Sequence, residues 1–380
     1  MADIGRDNIA MSDADMPPAL RRPPRLRASA SLEYPFTPPS ADGLSAVEVA
    51  AGILWLRQPM PMALDHINVY LLRDRDAQGD CWTLVDTGLN TRRSREVWEV
   101  IAQRHLVGLP IRRLICTHSH YDHSGLADWI GERFGAPMFM THGEYFLMRG
   151  LMGSPPPDPL PASDMLFYRR AGMGEAQVEA MFAELRRDPF MPPVPGSYQR
   201  LRDGDRLRIG ERDWQVVVGE GHSPEHACLY SASERTAECI LISGDQLLPR
   251  ITSNVLVSSI EPEANPLQLW LASLDRLDRL APDTLVLPSH ERVFRGLHAR
   301  VEELRAHHRQ QFELLRAELA RSGAATALEL MQVQFPRLRH AADELMALGE
   351  TLAHLSWLRH EGEVRRVLDD DGCHRFSLAT

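Results

Sequence analysis

The sequence predicts an α+β protein whose chemistry gathers at the ends of its strands. Three observations carry that prediction. Short apolar runs with strand character recur along the middle of the chain and run out into His or Asp. Amphipathic stretches of helical period separate several of them. Beyond residue 297 the pattern turns helical and closes on a β-hairpin signal.

In chain order, residues 1–44 carry seven prolines among Arg and Asp with few large apolar side chains, which predicts an extended or disordered arm. A catalytic unit is expected over 45–296. Residues 47–57 and 66–72 read as strands, and 81–88 as a third that ends on Asp86 and Gly88. Residues 91–105 form an amphipathic helix. The apolar run 114–116 then leads into a polar cluster. Residues 127–134 are helical and 137–140 a short strand.

Residues 143–200 differ in character, with nine prolines and a helical piece over 175–187. Phe146, Met148, Met152, Phe167, Tyr168, Met173 and Met181 predict a flap that offers a substrate an apolar wall. Strands resume at 205–209, 214–218, 228–230 and 239–245. A helix over 267–280 precedes a last strand over 284–290. Residues 297–380 predict a small C-terminal helical or winged-helix domain. Its helices cover 297–322, 325–332, 342–349 and 351–360, and a hairpin follows with Asp371 and Gly372 at the turn.

The cluster after residue 116 is the densest feature. His118, His120, Asp122 and His123 fall within six residues. Imidazoles crowded in this way repel when protonated and compete for few donors when neutral. A divalent cation removes the conflict. The chain holds 16 His, so an isolated His-x-His pair carries little weight, but four ligand-type residues in this order are not readily a chance loop. Other strand ends add His222, Asp245 and His290, making five imidazoles and two carboxylates, enough for two metal ions. Cys116 is close enough in sequence to be a ligand, but its place in an apolar strand assigns it to the core.

Composition narrows the function. A net charge of −10 argues against a nucleic-acid surface. All 42 basic residues are Arg, which excludes lysine Schiff-base chemistry. Five scattered cysteines without a C-x-x-C pair read as free thiols of a cytoplasmic protein. No run of 18 apolar residues predicts a membrane span, and the N-terminus lacks an apolar signal core.

The set and order of these residues resemble the metallo-β-lactamase superfamily of hydrolases. The motifs that carry the resemblance contain Asp86, then His118, His120, Asp122 and His123, then His222 and His226, then Asp245, then His290. The resemblance implies a four-layer αββα sandwich with the metals at one edge of two sheets. By position, His118, His120 and His222 would bind a first metal, and Asp122, His123 and His290 a second. Asp245 would bridge. Asp86 and His226 match positions that orient ligands, although a turn Asp and a capping His would look the same in sequence. Glu225 stands where hydrolases of the glyoxalase II type often carry Gly. The helices and hairpin at the C-terminus are similar to the winged-helix unit of the β-lactamase-like protein 2 branch, some of whose members cleave RNA. Here residues 301–380 carry ten Arg against thirteen Asp plus Glu, a poor phosphate binder. Packing over the site, or contact with a second copy of the chain, fits that unit better.

These readings predict a dinuclear hydrolase. Two divalent ions lower the pKa of a shared water, the hydroxide attacks an ester or thioester of a small acyl substrate, and Asp122 orients it and carries a proton. Zinc is the expected metal from the imidazole count, with iron or manganese open. A phosphodiesterase or ribonuclease, a lactonase, and a non-catalytic metal-stabilised binding protein are the alternatives.

Overall fold

The computed structural model describes residues 31–379 apart from 63, 188–190, 234–237 and 339. Its strands, in chain order, are β1 (Val47–Ala50), β2 (Ile53–Pro59), β3 (His66–Asp76), β4 (Gly79–Val85), β5 (Ile111–Ile115), β6 (Met138–Thr141), β7 (Gln199–Leu201), β8 (Arg206–Ile209), β9 (Arg212–Gly219), β10 (His226–Ser233), β11 (Glu238–Gly244), β12 (Leu285–Pro288), β13 (Val364–Leu368) and β14 (His374–Leu378). The helices are α1 (Arg92–Arg104), α2 (Tyr121–Ser124), α3 (Ala127–Phe134), α4 (His142–Leu147), α5 (Ala162–Arg170), α6 (Glu175–Leu185), α7 (Pro266–Leu277), α8 (Leu297–Ser322), α9 (Ala327–Gln334) and α10 (Ala341–His360).

Strands β1 to β7 lie side by side in sequence order in one sheet, antiparallel as far as β4 and parallel from β4 to β7. The second sheet runs β12-β11-β10-β9-β8, with β11 and β12 parallel. Parallel neighbours need crossovers, and helices supply them: α1 between β4 and β5, α3 between β5 and β6, and α7 between β11 and β12.

The two-residue period of a strand sorts side chains into layers. In β3, Tyr70 and Leu72 face the second sheet, while Val69 and Leu71 join Val97, Trp98 and Ile101 of α1. In β11, Ile240 and Ile242 face the first sheet and Leu241 packs outward with Leu267, Trp270 and Leu274 of α7. Trp55 and Trp214 fill the space between the sheets. Trp98 and Trp270 anchor the two outer helical layers. Full burial of a large apolar side chain contributes about 1.5–3 kcal/mol, so these alternating faces hold the αββα sandwich together.

The C-terminal helices close over the second sheet. Val301 and Leu304 of α8, Leu330 of α9, Leu355 of α10 and Phe376 of β14 share one apolar cluster with the outer face of that sheet. The hairpin β13–β14 forms where the Asp-Gly signal predicts it, with Gly372 at φ 80°.

Three expectations need correction. The separate helices at 342–349 and 351–360 are one helix, α10. Gly349 does not break it; it lets another segment approach, since a Cβ there would lie 3.1 Å from Leu256 and from the Val257 carbonyl. The Gly349 carbonyl accepts the Val257 amide at 3.1 Å.

Most of the apolar side chains expected to form the 143–200 wall are packed rather than open. Met148 is buried against the first sheet's outer layer. Tyr168, Met173 and Met181 are buried with the C-terminal helices, and Phe167 packs against the same cluster. The physical reason is that α6, α9 and α10 each carry an apolar face that needs covering, and they cover one another. Phe146, 54% exposed, is the member of the predicted wall that faces solvent, and the Met152 side chain lies outside the described residues.

The predicted N-terminal arm is anchored from residue 31. Leu32 is buried, and Glu33 exchanges backbone hydrogen bonds with Arg295 at 3.2 and 2.9 Å. Residues 1–30 lie outside the described residues. Among the described residues no helix is long and apolar enough to cross a membrane.

Candidate metal centre

The C-terminal ends of β4, β5, β9, β11 and β12 and the start of β10 meet at one edge of the sandwich. Each delivers a polar residue there because the apolar pattern stops where the strand leaves the core. His118 and His120 follow β5, and α2 carries Asp122 and His123. His222 lies in the turn after β9, and His226 opens β10. Asp245 follows β11, and His290 follows β12.

All seven predicted ligands come together in two adjoining groups, His118, His120, His222 and Asp245 in one and Asp122, His123 and His290 in the other. Within the first, His118 Nε2 lies 2.8 Å from His120 Nδ1 and 3.2 Å from His222 Nε2. In the second, His290 Nε2 lies 3.2 Å from Asp122 Oδ2, and His123 Nε2 lies 3.5 Å from the same oxygen. Asp245 faces both groups. Its Oδ2 is 3.6 Å from His222 Nε2 and 3.5 Å from His123 Nε2, and its Oδ1 is 3.4 Å from His290 Nε2.

Neighbouring acceptors set the tautomers. His222 Nδ1 donates to the Asn254 carbonyl at 2.7 Å and His290 Nδ1 to the His66 carbonyl at 3.0 Å. His123 Nδ1 donates to Asp86 Oδ2 at 2.8 Å. Each of these bonds turns Nε2 toward the centre, the usual means of orienting a metal-binding imidazole. Asp86 also accepts the Thr117 amide at 2.8 Å and the Thr117 hydroxyl at 2.9 Å. Its φ of 59° is unusual for a side chain with a Cβ, and Asp is among the residues that tolerate it best. His226 Nε2 accepts the Asp245 amide at 3.0 Å. Asp86 and His226 therefore lie behind the candidate ligands and hydrogen-bond to His123 and to the Asp245 amide.

The donor set fits divalent cations. Burial, reinforced by the surrounding imidazoles, pushes His118 well below its ordinary value, and burial takes His120 down to about 3. Burial also lowers His222 and His226, so the imidazoles of the first group are neutral and offer lone pairs. In the second group burial opposes charge but loses. The Asp245 and Asp122 carboxylates hold His290 up to about 10, and His123 is raised in the same way. Burial would raise Asp122, but the charge of His123 and the bond from His290 hold it at about 2. His123 Nε2 and Asp245 Oδ1 are buried with no hydrogen bond of acceptable geometry. Facing lone pairs at 3.2 Å and orphaned buried polar atoms are what a cation between them resolves.

Cys116 belongs to neither group and is packed in the first sheet's outer layer, where burial drives its thiol well up. Glu144 is absent from the sequence reading. Buried at the start of α4, it accepts the Ser119 amide and the Glu225 amide, each at 2.9 Å. The one available signal is its place just after a strand end. Glu225 accepts the Gly143 amide at 2.8 Å through its carboxylate, which gives the departure from Gly a structural role.

Comparison with known proteins agrees with this geometry. Residues 63–290 match the family described as the Metallo-beta-lactamase superfamily, and residues 314–379 match "Metallo-beta-lactamase-like, C-terminal domain". The crystal structure of a beta-lactamase domain protein from Burkholderia ambifaria is 42% identical, with a TM-score of 0.80 over 92% of this chain and 100% of that one. "Probable metallo-hydrolase YqjP" of Bacillus subtilis is 26% identical over 326 residues, 81% of this chain and 92% of its own length. A hydroxyacylglutathione hydrolase of Yersinia enterocolitica is 29% identical over 125 residues, 30% of this chain and 44% of its own length. With fold, His/Asp cluster and relatives in agreement, the chain belongs to the metallo-β-lactamase superfamily and is a metal-dependent hydrolase with an MBL-like C-terminal domain.

Proposed function

We propose that this hydrolase uses two divalent ions, zinc in the first instance, to cleave an ester or thioester bond in a small acyl substrate. The observation that carries the two-ion reading is Asp245, whose two oxygens face both ligand groups. His118, His120 and His222 would hold one ion, Asp122, His123 and His290 the other, and Asp245 would touch both. Bound there, the ions supply Lewis acidity and lower the pKa of water toward neutrality.

The chain's own groups do the rest. Asp86 and the His66 and Asn254 carbonyls keep the rings aimed. Asp122, at the inner end of α2, orients the attacking water and takes up its proton. Met60, Ile67 and Leu89 pack with Tyr121 next to Asp122 and give an acyl group an apolar neighbour. The hydroxyacylglutathione hydrolase relative supports a thioester, and the net charge of −10 disfavours RNA. Five unpaired cysteines support a cytoplasmic setting.

The test is a substrate panel with metal-replete protein: acyl-CoA, S-acylglutathione, aryl esters, lactones, bis(p-nitrophenyl) phosphate and RNA. Turnover of acyl compounds is expected. Turnover confined to the phosphodiesters would replace this reading with a nuclease or phosphodiesterase.

A further inference from the structure

Glu144 is a buried carboxylate with no ion-pair partner among the described residues. Its compensation comes from two amides. Oε2 accepts Ser119 N and Oε1 accepts Glu225 N, both at 2.9 Å. Ser119 sits between His118 and His120. Glu225 sits three residues after His222. A single side chain therefore ties together the two loops that carry the three imidazoles of the first group.

The chemistry of the residue is dictated by that geometry. Both partners are donors, so the group between them must accept through both of its ends. A carboxylate does so, whereas an amide would turn an NH2 toward one of the two N–H groups. Two more hydrogen bonds strap the same junction. The Thr141 hydroxyl donates to the Glu225 carbonyl at 2.7 Å, and the Gly143 amide donates to Glu225 Oε2 at 2.8 Å. Gly143 permits the close approach, since a Cβ there would lie 3.2 Å from Glu225 Cγ and Cδ. None of these bonds reaches Asp122, His123 or His290.

We propose that Glu144 is the positioning residue of the first metal position: it sets the spacing between the His118/His120 loop and the His222 turn, and through it the affinity for that ion alone. The inference rests on reading the cluster as a two-ion centre. It distinguishes Glu144 from a generic core residue, which would weaken both positions together.

The experiment is a Co2+ titration of the full chain against a competing chelator, followed by visible absorption and by 15N-histidine shifts that identify which imidazoles the ion has reached. Glu144→Gln should weaken the position reported by His118, His120 and His222 by about 10–100-fold and leave the one reported by His123 and His290 within about threefold. Thr141→Val, nearly isosteric, should shift the same position in the same direction by a smaller factor, and it serves if Glu144→Gln does not fold. Unchanged affinities, or equal weakening of both positions, would overturn the proposal. A wild-type chain that takes up no ion at all would instead sink the two-ion reading, so the two failures are separable.

Discussion

The backbone amide of Asp245 donates to Nε2 of His226 at 3.0 Å, so a residue at the start of β10 holds Asp245 just past the end of β11. Gly244 makes the contact fit. Its φ is +52°, and a Cβ there would fall 2.3 Å from His226 Nε2. Gly244→Ala should cost about 2–4 kcal/mol, from backbone strain and the clash. Urea denaturation of the metal-free variant checks this, and a midpoint equal to wild type would contradict it.

Asp86 makes a comparable contact from β4. It fixes the His123 tautomer and accepts from Thr117 twice. Asp86→Asn replaces one acceptor oxygen with a donor that faces a donor. Metal affinity at the position of His123 should fall about 10–100-fold, as seen by chelator competition.

Asp122→Asn keeps an oxygen near His290 Nε2 but removes the proton acceptor. With both ions retained, kcat should fall about 10²–10⁴-fold. Stopped-flow turnover alongside metal analysis separates this from simple ion loss.

The pH dependence of metal-free stability follows from opposed shifts. His290 is raised from near 6.5 to about 10, so its contribution is complete below 6.5 and is lost as pH rises toward 10. His120 is lowered to about 3, so the unfolded chain gains protons preferentially as pH falls below 6.5, and stability drops on that side as well. Asp122, held at about 2, gives its contribution above the free carboxylate value near 3.8 and loses it as pH falls through 2. The metal-free chain should therefore be most stable near pH 6.5. Saturating metal should flatten the alkaline side, because the cation replaces the protons on His290 and His123. Urea midpoints from pH 5 to 9, with chelator and with Zn2+, test both statements. A flat metal-free profile above pH 6.5 would rule the first one out.

Arg300 of α8 is buried and donates to the carbonyls of Leu248 at 2.6 Å and Ile251 at 2.9 Å, in the segment that follows Asp245. Arg300→Leu leaves those carbonyls without this partner and removes the ion pair with Glu303. A loss of roughly 2–5 kcal/mol is expected by chemical denaturation.

The ligand set is legible from sequence for a local reason. Each ligand lies where an apolar strand ends, and four of the seven fall within six residues, so residue type and chain position carry the signal together. The sandwich is legible only through the resemblance those motifs carry, because β3 and β11 are buried on both faces and read as nearly continuous apolar runs. Other features depend on what the chain meets in space. Gly349 looks like a helix break until Leu256 and Val257 are found against it. The apolar side chains of α5 and α6 look like a substrate wall until α9 and α10 cover them, because an amphipathic face does not specify its partner. Glu144 has no sequence signature beyond its place just after a strand end, since both of its partners are backbone amides, which every residue but proline carries. The sequence by itself determined which residues can hold a metal and which faces must be buried. The tertiary structure decided which loops are tied together and how far apart the ligands stand, because hydrogen bonds to the backbone and packing between distant helices depend on distance and not on residue type.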